Sequence, residues 1–373
     1  MPALLPPLQL TGAQTLRNVG LSDQPVALAE GKISEHFERS VDLSGYLVLP
    51  GIVDMMACPP QSGSADIDAQ GVLHEAAVRG ACQGVTTQYL SHAWRPPETD
   101  GAPSASHVMV EAWQEARPTL MTDVRVLLEI DHGLATEHRQ IMDLIASTGI
   151  DLVAFSNGAQ RADHVPRTLN SRTNARRPNV TMLLDHPSHV HRSLLTLVGL
   201  FDGLGVTYGS TGDTSAETRE HHSMLGASLC IAPRSTKAAA AARAVNDPVV
   251  LSASDIVEQL RTGTLGKSNP IGADALVSDN DIGALARVAL ALTNAGVLDL
   301  GRAWALISEN PARLLGLSDR GSLTPGQRAD LTVVNQETDT VEATICAGRL
   351  SYLTGQAGSR FMDVPVSRAV AAE

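Results

Sequence analysis

Leu49-Pro-Gly-Ile-Val-Asp54-Met-Met-Ala-Cys58-Pro-Pro60 is the stretch on which the reading of this chain turns. Its first part, 49–55, is the first of eight apolar, β-rich segments. The others fall at 85–91, 124–131, 151–156, 180–186, 205–210, 248–252 and 274–279. Helical patterns lie between most of them. Gly71 to Gly84 is amphipathic, Glu137 to Thr148 carries Ile141, Leu144 and Ile145 at i, i+3, i+4 spacing, and Ser235 to Ala244 is rich in alanine. Ile282 to Ala295 and Leu300 to Glu309 are periodic too, with Pro311 expected to stop the second. Alternating strand and helix predicts βα units around a parallel sheet. A doubly wound sheet wants a glycine-rich phosphate loop after its first strand. Cys58-Pro-Pro60 stands there instead, so the expectation is an α/β fold of the (β/α)8 TIM-barrel type.

The two ends read differently. Residues 1–48 and, within 319–373, residues 320–355 read as short strands and turns, including Ala27 to Ile33, Ala329 to Val334 and Val341 to Cys346 followed by a turn at Ala347-Gly348. They are expected to form one small β-domain around a barrel spanning 49–318.

Composition narrows the function. At 373 residues, 43% hydrophobic and 18% charged, the chain is globular rather than disordered. A net charge of −12 argues against general binding to nucleic acid or to an anionic membrane. Arg161, Arg167, Arg172, Arg176 and Arg177 form a local basic stretch, either a pocket for a phosphorylated ligand or a solvated loop. Cys58, Cys82, Cys230 and Cys346 form no C-x-x-C pair, which excludes zinc-ribbon and thioredoxin motifs. Met1 to Leu10 lacks a signal-peptide pattern, and no apolar run approaches the roughly 18 residues of a membrane span. A cytoplasmic location is expected.

Catalytic groups of such a barrel stand at the C-terminal strand ends. Those ends carry Met56 and Cys58, then Asp131 and His132, then Asn157, then His186, then Thr211 to Asp213, and finally Asp279. His186 and Asp279 are the first candidates, as ligands of one metal or as a general base. Each also suits the start of a helix, which Asp caps often. Asp131, His132 and Cys58 are further candidate metal ligands. His189 and His191 join His186 in a local cluster, whereas His221-His222 reads as a helix face.

Leu49 to Asp54 and Ser308-Glu-Asn-Pro-Ala-Arg-Leu-Leu-Gly316 resemble the two ends of an amidohydrolase-superfamily barrel. Gly205-Val-Thr-Tyr-Gly-Ser210, Gly212-Asp213, Glu217-Thr-Arg-Glu220, Ala81 to Thr87, Ala238 to Pro248, Ala273 to Asp279, Arg302 to Ile307 and Asp319 to Leu331 resemble one family within it. That family is the diphosphatase of the carbon–phosphorus lyase pathway. The likeness spans nearly the whole chain. It implies a metal-dependent hydrolase releasing pyrophosphate from α-D-ribose 1-methylphosphonate 5-triphosphate or a related phosphorylated sugar. It also implies a zinc or manganese site and a homodimer.

The resemblance also implies a histidine ligand motif where Met56 and Cys58 stand, and a histidine where Thr211 stands. Asp279 and His186 occupy retained positions, and Asp131 takes the place of a family glutamate. Three readings follow. One is a phosphonate-pathway hydrolase with fewer metal ions than the family carries. Another is an inactive homologue, without metal, that binds a metabolite or regulates a partner. The last is an amidohydrolase acting on an amide or cyclic imide.

Overall fold

The computed structural model describes residues 3–17, 20–60, 68–97, 104–132, 138–156, 187–265 and 272–362. Eight parallel strands follow one another around a single sheet: Ile52–Ala57, Val85–Ala93, Asp123–Asp131, Leu152–Ser156, Thr207–Thr211, Leu229–Ile231, Val249–Ser252 and Ala275–Val277. The sheet closes between its first and last strands. Ala57 bridges to Asp279, Cys58 N–H donates to the Asp279 carbonyl at 2.7 Å, and Asp279 N–H donates to the Met56 carbonyl at 3.0 Å.

The strands are apolar on both sides because both sides are buried. In the third strand Val124, Val126, Leu128 and Ile130 pack outward with the helices. Leu127 points the other way, into an interior shared with Val53, Met55, Tyr89, Leu152, Ile231, Val250 and Val277. Four of the expected helices are present as Ala69–Ala81, His138–Thr148, Thr236–Ala244 and Ala284–Asn294, and the fifth, Leu300 to Glu309, ends earlier, as Leu300–Ala305. Ser235 caps the alanine-rich helix, its hydroxyl accepting from Ala238 N–H at 3.1 Å.

One expectation is corrected, that Pro311 stops a helix, and one lies outside the described residues. The segment 180–186 was expected between the fourth and next strands and lies outside the described residues. Leu152–Ser156 pairs directly with Thr207–Thr211, Phe155 opposite Ser210. Leu229–Ile231 is the strand sequence reading missed; a run of three residues is too short to carry a period. Pro311 was expected to stop a helix. It sits instead in the first turn of Glu309–Leu314, where a missing N–H leaves no bond unmade.

Both chain ends build the β-layers beside the barrel. One sheet runs Lys32–Ser34, Val26–Ala29, Leu8–Thr11, Arg39–Asp42. The other runs Arg349–Leu353, Thr340–Cys346, Leu331–Asn335, Tyr46–Pro50, Gln14–Arg17, Gly20–Ser22, joining C-terminal to N-terminal strands. The two expected hairpin turns have positive φ at both central residues, Glu30-Gly31 and Ala347-Gly348, as the tight two-residue turn requires. Asp123, at the start of the third barrel strand, ties these layers to the barrel. It accepts from Arg320 at 2.7 Å, Arg328 at 3.2 Å and Arg125 at 3.2 Å.

Candidate functional site

The first strand decides what the barrel mouth can hold. All of Ile52–Ala57 is buried. Irregular pairing with the second strand, before Val53 and after Asp54, lets both Met55 and Met56 join the interior core. The Met56 sulfur accepts the Thr211 hydroxyl at 3.6 Å. Asp54 turns the other way and is fully buried. It accepts from Met56 N–H at 3.2 Å, from Ser278 N–H at 3.1 Å and from the Ser278 hydroxyl. Burial pushes its carboxyl up to about 7, and Asp279 adds to the rise; the three hydrogen bonds act against it.

Asp279 stands at the closing seam with φ of 54°, a left-handed conformation that Asp tolerates better than most residues. Its Oδ1 lies 3.5 Å from Cys58 Sγ. Both line a cavity of 280 Å³ with Pro59, Arg79, Gln88 and Asn280. Because Arg79 belongs to the helix Ala69–Ala81, this space lies between that helix and the strand seam.

A second polar cluster joins the ends of the third and fifth strands. His132 follows the third strand, and its Nε2 is 2.7 Å from Nε2 of His222. His222 Nδ1 is 2.8 Å from Asp213 Oδ1. The helix Ala216–Met224 positions His222. Ser215 caps it, and Arg219 and His222, spaced i, i+3, form its buried face. Arg219 is wholly buried. It donates to Ser210 Oγ at 2.6 Å, the Leu229 carbonyl at 3.1 Å and Asp247 Oδ2 at 2.5 Å. The rings of His132 and His222 meet edge to face, their centroids 4.7 Å apart, and His221 lies 6.0 Å from His132. Burial, then the neighbouring imidazoles, lowers His132 to about 4, so it is neutral at pH 7. Burial acts to raise Asp213, but His222, Ser210 and Arg219 hold it below its ordinary range.

Of the four expected metal ligands that the structure describes, no three come together. Cys58 and Asp279 meet at the seam, and His132 meets His222. Asp131 ends the third strand, half-buried. His186 lies outside the described residues, as do Arg161 to Arg177 and the side chains of His189 and His191. Sequence reading passed over two groups. His221-His222 reads as a helix face, and the structure places His222 on the buried side of that helix; its spacing from Arg219 is the signal. Glu129, buried and accepting from Ser91 Oγ, lies on the inward side of its strand and gave no spacing clue.

The metal pair implied by the resemblance does not fit the described residues. Where the resemblance implies histidine ligands stand a buried thioether, Met56, and a hydroxyl, Thr211, and a thioether is a poor partner for zinc or manganese. Among the described residues no three His, Cys, Asp or Glu side chains converge where they could hold an ion. No described helix is long and apolar enough to cross a membrane.

An amidohydrolase family model matches residues 281–355. No curated protein matches the chain. Solved structures match over nearly its full length. Dihydropyrimidinase from Brevibacillus agri superposes with a TM-score of 0.65 at 11% identity, covering 95% of this chain and 97% of that one. β-Aspartyl dipeptidase from Fervidobacterium islandicum, solved with a β-Asp-Leu dipeptide, gives 0.61 at 13%, covering 93% and 97%. N-acetyl-D-glucosamine-6-phosphate deacetylase from Mycobacterium smegmatis gives 0.61 at 15%, covering 92% and 99%. At these identities the likeness concerns the fold.

Proposed function

We propose that this chain is an amidohydrolase-type barrel that binds a phosphorylated small molecule, without two-metal hydrolysis, as a metabolite-binding or regulatory partner. Met56 carries this reading. At the end of the first strand, where the resemblance calls for an imidazole ligand, Met56 is 2% exposed and its sulfur receives the Thr211 hydroxyl. A two-metal hydrolase needs ligands there to activate water and neutralise phosphoryl oxygens. The phosphorylated ligand is supported by the sequence resemblance and by a sugar phosphate in the name of one structural neighbour. A homodimer, expected from the resemblance, belongs to the same proposal.

The second reading is a hydrolase acting on α-D-ribose 1-methylphosphonate 5-triphosphate. The pairing of Asp279 with Cys58 beside a cavity favours it. One experiment separates the two. The purified chain is incubated with that triphosphate and zinc or manganese, and pyrophosphate is measured, with Asp279→Asn as control. The first reading expects ligand binding, seen as a raised melting temperature, and no pyrophosphate above the control. Turnover that Asp279→Asn abolishes would establish the hydrolase instead.

A further inference from the structure

We propose that the cavity between the helix Ala69–Ala81 and the closing seam is a site for a small zwitterion of the amino-acid class, its ammonium group on Asp279 and its carboxylate on Arg79. Three observations carry it.

The first is where the space lies. Ala57 and Leu90, from the first two strands, line it together with the helix residue Ala76, and all three belong to the outward core. None of the lining residues belongs to the interior cluster that the methionines fill. The cavity is therefore outside the ring of strands. Its 280 Å³ falls at the small end of ligand pockets, which run from about 300 to 1,000 Å³, and so suits a small metabolite. Leu90, Ile282, Pro59 and Pro60 supply apolar wall for an aliphatic side chain.

The second is the amide on its wall. Gln88 is 1% exposed and lines the cavity. Its Nε2 donates to the Ala76 carbonyl at 2.8 Å, which uses one of two N–H groups. Among the described residues nothing donates to its Oε1. The helix makes room for this amide by carrying glycine beside it. A Cβ at Gly80 would stand 3.0 Å from Nε2 and 3.1 Å from Oε1. A buried amide with an unused acceptor is costly unless something in the cavity bonds to it. The competing occupant is water.

The third is a pair of opposite charges without close partners. Asp279 Oδ1 meets the Cys58 thiol at 3.5 Å, and no described cation pairs with it. Burial raises the carboxyls of Asp54 and of Asp255, in the helix Ala253–Thr262, and the charge of Asp279 adds to both rises. A positive group beside Asp279 relieves that repulsion. On the helix wall the Arg79 side chain is 48% exposed, and its described ion pair is with Glu75 of the same helix at 4.0 Å, a contact that contributes little. A carboxylate gains a forked partner there. A ligand of single charge satisfies one wall and leaves the other; a zwitterion satisfies both.

The test titrates the full chain with each free L-amino acid in turn, by calorimetry and melting temperature. No phosphorylated compound is present, so the outcome stands apart from the function proposed above. The expected result is saturable binding of one molecule per chain, with a Kd of about 1 mM or tighter. The methyl ester and the N-acetyl derivative of the best binder should each bind about 10–100-fold more weakly, having lost one charged contact. Arg79→Gln should weaken the free amino acid by a similar factor and leave the ester unchanged. Asp279→Asn should weaken the free amino acid and leave the N-acetyl derivative unchanged. Arg79 is an exposed helix position, so its variant keeps the fold even if the seam variant does not. No saturable binding by any amino acid, as for a cavity that holds only water, overturns the proposal. Binding that Arg79→Gln leaves unchanged, or an ester that binds as tightly as the free acid, overturns it equally.

Discussion

Met56 Sδ accepts the hydroxyl hydrogen of Thr211 at 3.6 Å, joining the ends of the first and fifth barrel strands. A thioether is a weak acceptor. The larger effect is the fill of the barrel interior by two methionines. Met56→Leu conserves that volume and should cost less than about 1.5 kcal/mol. Met56→Ala leaves a cavity and should cost about 2–5 kcal/mol. Thr211→Val should cost about 1 kcal/mol or less. Urea unfolding midpoints measure all three. A Thr211→Val loss equal to that of Met56→Ala would show that the polar contact, not packing, holds the mouth closed.

Asp54 gives the chain a pH dependence of definite sign. Its folded-state carboxyl titrates at about 7, raised from an ordinary value near 3.8 chiefly by burial. The folded state therefore holds a proton that the unfolded state has released between those limits. The contribution of Asp54 to stability is fully present below about pH 4 and is lost as pH rises through 7. Three units correspond to an effect on the order of 4 kcal/mol. Asp54→Asn should remove this slope. Asp123, held low by its arginines against the burial that raises it, slopes the other way. The quantity to measure is therefore the difference between the unmodified chain and Asp54→Asn, by urea unfolding at pH 5 and pH 8. A difference constant with pH would show that Asp54 is ionised in the folded protein at both values.

The fold was legible because it rests on local pattern. Apolar segments alternating with helical stretches, helices of clear period and paired turns at Glu30-Gly31 and Ala347-Gly348 all appear in the sequence before any contact is known. Leu229–Ile231 was not legible, because three residues define neither period 2 nor 3.6. The site was less so. Cys58 and Asp279 are 221 positions apart and meet only because the sheet closes there. His132 and His222 are 90 apart, brought together by the end of the third strand and the helix Ala216–Met224. Pro311 misled for a physical reason: proline breaks a helix interior and starts a helix equally well.

Asp123 should be costly to remove. It is the shared acceptor of Arg125, Arg320 and Arg328, two of which come from the C-terminal segment. Arg320 is 5% exposed at its side chain, so its charge has little access to water once the carboxylate is gone. Asp123→Ala should destabilise by about 3–5 kcal/mol, as expected when one partner of a buried ion pair is deleted. Asp123→Asn should cost less, since an amide oxygen still accepts. Melting temperatures of the two variants give the order. Equal losses would mean that the hydrogen bonds contribute nothing apart from the charge.

Asp279 combines an unfavourable backbone with an unfavourable neighbour. Its φ of 54° is one that a Cβ makes costly, and its carboxylate raises the buried carboxyl of Asp54. Its backbone nevertheless makes both hydrogen bonds that close the sheet onto Met56 and Cys58. Glycine keeps those bonds and relieves both strains, so Asp279→Gly should be neutral or more stable by up to about 1 kcal/mol. Asp279→Val keeps the bonds but forces a β-branched residue into the left-handed region, and should lose about 1–2 kcal/mol or more. Removal of the negative charge should also bring the Asp54 titration down from 7, moving the alkaline loss of stability to lower pH. Unfolding curves across pH 5 to 8 for the glycine variant measure both effects. A glycine variant less stable than the unmodified chain would show that the carboxylate itself holds the seam, through its contact with Cys58.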